Sequence, residues 1–62
     1  MSTVLAMLLG IEQGDIATFY LPQEKNEVKF VVNEDLIAEF TAAMAEEESY
    51  FVTIDPEMKQ VV

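Results

Sequence analysis

The chain has no cysteine and no histidine. Without cysteine there is no disulfide to staple a small fold and no thiolate to bind a metal. Without histidine the commonest general base and the commonest zinc ligand are both missing. Serine occurs only at Ser2 and Ser49, which gives no nucleophile–base pair, and 62 residues leave no room for a buried pocket beside a core. No calcium loop of the form D-x-[DN]-x-[DN]-G is present either. The expectation is a protein that is not an enzyme and needs no metal or other cofactor.

Positive charge is almost as scarce. Three lysines and no arginine face twelve acidic residues, for a net charge of −9. Such a chain is repelled by nucleic acid and by anionic membrane, and drawn to basic surfaces. Long apolar runs are lacking too. The longest, VLAMLLGI at 4–11, is too short to span a bilayer. It has no Lys/Arg region before it or small-residue cleavage site after it, and Glu12 and Asp15 follow directly. No membrane association and a cytoplasmic location are therefore expected.

Apolar residues are what the chain has in abundance, at 52% of its length. A single domain of 1–62 leaves much of its surface wet, so part of that apolar content is expected outside the core. A homodimer or another protein partner would cover it.

One segment settles its own structure. In NEDLIAEFTAAMAEE, residues 33–47, a helical period gathers Leu36, Ile37, Phe40, Ala43 and Met44 on one face. Asp35, Glu39 and Glu46 fall along one flank. Asn33 is a preferred N-cap, and Glu34 and Asp35 complement the positive end of the helix dipole.

Around it, residues 3–11 read as a strand without clear alternation; a short N-terminal helix capped by Ser2 is the alternative. A three-residue hairpin loop follows, with Glu12 and Gln13 in a type I turn and Gly14 left-handed. Residues 16–21 and 27–32 form a hairpin about the turn QEKN, and residues 50–54 a fourth strand. The helical crossover is long enough to set that strand parallel to an earlier one. Asp55-Pro56 marks a turn, after which MKQVV either pairs as a short edge strand or hangs free. The expected fold is α+β: a small antiparallel meander with one amphipathic helix on one face, in the order βββαβ with a possible fifth strand, or αββαβ if the chain starts as a helix. Leu36, Phe40 and Met44 should meet the Phe19/Leu21 or Val28/Phe30 faces of the sheet.

Two groups of acids stand out as a partner-binding surface. Glu46, Glu47 and Glu48 sit at the negative end of the helix dipole with no lysine in the last turn, a placement that costs stability. Asp35, Glu39 and Glu46 make a row of carboxylates spaced by several ångströms, which can present charge as a phosphate backbone does to a cleft of Arg and Lys. Tyr50, beside the cluster, is an aromatic of the kind enriched at interface hot spots.

No segment carries a family motif. In size, acidity and lack of cysteine the chain is similar to the small inhibitors that bacteriophages use against host nucleic-acid enzymes, such as anti-CRISPR and other DNA-mimic proteins. That likeness implies an inhibitor that masks a basic nucleic-acid-binding surface on a protein partner and binds no nucleic acid itself. The alternative is a homo-oligomeric or adaptor protein with an apolar interface, whose acids only keep it in solution.

Overall fold

β-branched and aromatic runs separated by turn residues form strands, and the one segment of helical period forms the helix. The computed structural model describes residues 3–62. Its elements are β1 (Val4–Glu12), β2 (Ile16–Leu21), β3 (Asn26–Val31), α1 (Glu34–Glu46), β4 (Phe51–Asp55) and β5 (Gln60–Val61). Every pairing is antiparallel, and the strand order across the sheet is β3-β2-β1-β4-β5. This is the expected α+β fold in the order βββαβ, with the fifth strand paired. Residues 4–12 are a strand and not a helix; the capping role considered for Ser2 lies outside the described residues.

The first strand is thus the middle one. β4 does not pair in parallel with an earlier strand: it runs in the same sense as β2 but lies on the far side of β1, with Val4 opposite Ile54 and Met7 opposite Phe51. The meander leaves that edge of β1 free, and the helix carries the chain back across the sheet to reach it. Leu8 N–H donates to the Tyr50 carbonyl at 2.8 Å and prolongs the ladder by one step.

The missing alternation in β1 has a local cause. The register with β2 shifts between Leu8 and Gly10, which makes Leu9 the extra residue of a β-bulge. Before the bulge, Ala6 and Leu8 face the helix; after it, Ile11 does, opposite Ala17. Leu9 and Gly10 both fall on the other side.

The turns differ in one respect from expectation. Gln13 is left-handed as well as Gly14, at φ 54° and 89°, so Gln13 does not sit in a type I turn. The other two hairpins share a pattern: Leu21-Pro22-Gln23-Glu24-Lys25-Asn26 and Asp55-Pro56-Glu57-Met58-Lys59-Gln60 each place Pro first and Lys last in a four-residue loop. Lys25 and Lys59 are left-handed, at φ 54° and 56°. Proline supplies the φ that the opening of the turn needs, and the last loop residue must bend the chain back into the ladder. In the second copy the buried Asp55 carboxylate accepts from the Glu57 and Met58 backbone N–H groups at 3.1 and 3.2 Å.

The core lies between the sheet and α1. Phe19 is its centre, stacked on Phe30 at 5.1 Å and edge-on to Phe40 at 5.9 Å. Ala6, Leu8, Ala17, Leu21, Val32 and Ile54 close around these rings. Leu36 and Ile37 pack against this cluster as expected, and Phe40 is fully buried. Met44 is not part of it. It is 36% exposed.

A candidate protein-docking surface

The helix begins and ends where its local chemistry dictates. The Asn33 side chain accepts from Leu36 N–H at 2.9 Å, and Glu34 and Asp35 occupy the first turn, where the dipole is positive. At the other end Glu47 turns into extended backbone (φ −126°, ψ 145°) while its N–H still bonds the Ala43 carbonyl at 2.9 Å. No basic residue stands in the last turn.

With Phe40 turned into the core, the acids face solvent. Asp35, Glu39, Glu46, Glu47 and Glu48 are all exposed. Asp35 and Glu39 are one turn apart, about 6 Å along the axis, and Glu46 lies about 10 Å beyond. Glu46, Glu47 and Glu48 do not continue that row as one stripe. Glu46 is the last helical residue, Glu47 is the cap, and Glu48 is in the link to β4. The structure therefore places all five on one element and its C-terminal end, as a row that fans out at the end.

Tyr50 is placed differently from the rest. It is half-buried, its ring edge-on to Phe40 with centroids 6.0 Å apart. The ring expected to anchor a partner belongs largely to the fold's own packing.

The cations lie elsewhere. Lys25 and Lys59 occupy turns of the sheet. Lys29 pairs with Glu12 at 3.3 Å, with both side chains about half exposed. This is the only ion pair among the described residues. It joins β3 to β1, so the lysine stem crosses β2 on the side away from the helix.

That side is the face a single amphipathic helix must leave uncovered, and part of the N-terminal strand lies exposed on it, as the sequence leads one to expect. Its rows run Glu27–Tyr20–Met7–Phe51, Lys29–Thr18–Gly10 and Val31–Ile16–Glu12, with Leu5 beside Thr53. No element of the described chain covers it. Leu5 is 48% exposed, Leu9 44%, Phe51 47% and Val31 63%. Thr18 is nonetheless buried, and its hydroxyl has no hydrogen-bond partner among the described residues. The bulge in β1 did have a signal in the sequence, Gly10 inside a strand run, since an interior glycine weakens a strand and marks a bulge or a close approach.

A cleft of about 540 Å³ opens at the start of α1 between Asp15, Val32, Glu34 and Ile37. Among the described residues no group of three or more Asp or Glu side chains is placed to hold a metal ion. Among the described residues no helix is long and apolar enough to cross a membrane.

A scan of protein-family models and searches of curated proteins and of solved structures found no match to this chain.

Proposed function

We propose that the protein is a non-catalytic inhibitor whose helical layer docks on, and masks, a basic nucleic-acid-binding surface of another protein. The observation that supports this is the segregation of charge. Asp35, Glu39, Glu46, Glu47 and Glu48 are exposed on one element and its end, no cation stands on that element, and all three lysines lie in the sheet or its turns. A field of one sign on one side steers a basic partner and orients it on arrival.

The test is capture from host extract with mass spectrometry, followed by release with duplex DNA or salt. Nucleic-acid-binding proteins that leave on addition of duplex support the reading. Captured proteins indifferent to both agents overturn it. The variant Glu46→Gln, Glu47→Gln, Glu48→Gln should lose most of this capture. Asp15→Asn, Glu24→Gln, Glu57→Gln removes the same charge from exposed loops and should lose little. Equal losses would mean that total charge matters and the helix surface does not.

The uncovered side of the sheet favours a second reading, a homo-oligomer or adaptor with an apolar interface. Salt separates the two, because screening weakens electrostatic docking and leaves apolar burial largely intact.

A further inference from the structure

Resting on that second reading, we infer that the uncovered face of the sheet is a two-fold interface with another copy of this chain, built around the bulge at Leu9 and the dent at Gly10. Three observations meet there. The first is the apolar platform formed by Leu5, Met7, Leu9, Tyr20 and Phe51. Four strands about 4.8 Å apart, each about six residues long, make it roughly 20 Å on a side. A stable symmetric pair takes about 800 Å² from each partner, about a fifth of this molecule's 4206 Å².

The second is Gly10 itself. It lies in the central strand directly after the bulge at Leu9, and its lack of a side chain leaves a dent in this face. Its φ is not positive, unlike that of Gly14, and a Cβ built on it meets nothing within 4 Å. The dent is therefore open to a side chain from outside the chain. Its neighbour Leu9 is an exposed knob on the same side, so knob and socket adjoin. A two-fold axis between them seats each copy's Leu9 at the other's Gly10.

The third is charge, and it selects a second copy as the occupant. Two molecules of net charge −9 approach at least cost where acids are few and a cation offsets them. The strand acids on this face are Glu12 and Glu27, and Lys29 stands between them, already bonded to Glu12. Glu27 and Lys29 are two residues apart on one strand face, about 7 Å, so the same kind of axis can set Glu27 of each copy against Lys29 of the other. Packed this way, the two acidic helices point outward on opposite sides.

Light scattering and sedimentation of the full chain across 1 µM to 1 mM test this. A dimer is expected within that range, little weakened by 0.5 M salt. Gly10→Gln fills the socket at a position where the chain itself offers no clash, so it should keep the wild-type circular dichroism and raise the dimer dissociation constant at least tenfold. Leu5→Gln should do the same. Met44→Gln and Met58→Gln remove apolar groups exposed elsewhere and should leave the dimer unchanged. A 7.0 kDa particle at every concentration overturns both the interface and the oligomer reading. A dimer that survives Gly10→Gln and Leu5→Gln overturns this interface alone.

Discussion

Phe40 ties the helix to the sheet. Its ring touches Phe19 on one side and Tyr50 on the other, and it is fully buried. Truncation to alanine removes an aromatic from a closed site and costs about 3–5 kcal/mol. A 62-residue chain has about 3–9 kcal/mol in total. Phe40→Ala should therefore lose half or more of the fold's stability, read as a urea transition moved to much lower concentration. Lys25 and Lys59 make a quieter case. Both hold left-handed backbone, which a β-branched side chain tolerates poorly, at about 1–2 kcal/mol. Lys25→Ile should lower stability by about that amount, and Lys25→Gly should not. The helical period was enough to single out Phe40. It misplaced Met44, because periodicity says which way a residue points and not how fully its neighbours cover it. Gln13 escaped for a related reason: glycine beside it was sufficient to explain the turn, so no second left-handed residue was sought.

At the scale of elements, the helix and the hairpins are locally specified. Asn33→Ala removes the side-chain acceptor for Leu36 N–H and should cost about 1 kcal/mol, a fall of about 4–8 °C in melting temperature for a domain of this size. The variant Glu46→Gln, Glu47→Gln, Glu48→Gln should move the other way by a fraction of a kcal/mol, since it relieves charge at the negative helix end. Strand bounds were legible to within a residue because turn residues punctuate them. The partner of β4 was not. A crossover of this length permits either a parallel or an antiparallel return, and only the free edge of β1 decides between them. The shared Pro-x-x-Lys loops were also visible in the sequence, but two copies of four residues do not register as a repeat until the backbone shows the same bend. Of the candidate site, the exposed acids were readable from the helix phase. The packing of Tyr50 was not, since it depends on how the link after the helix folds back onto Phe40.

For the molecule as a whole, the exposed acids of the helix and the uncovered apolar face of the sheet lie on opposite sides. Net charge of −9 on a body of 28 × 22 × 18 Å opposes compaction, and salt screens that repulsion over about 10 Å at 0.1 M. Melting temperature should therefore rise by several degrees between 10 and 200 mM NaCl, measured at fixed protein concentration so that any association is held constant. A flat response would mean that the acids are far enough apart in water not to sense one another.

The central position of β1 also sets a timetable. β1 needs β4, yet Val4 and Ile54 stand at nearly opposite ends of the chain. A ribosome working at about 5–20 residues per second takes about 1–5 s to go from the end of β3 to the end of β4. During that interval the finished meander has a bare strand edge and a core without its helix, an arrangement prone to pair with other chains. A nonsense codon before Phe51 would leave that strand edge bare for good. The hazard of this fold thus lies less in its finished state than in the order in which its parts are delivered.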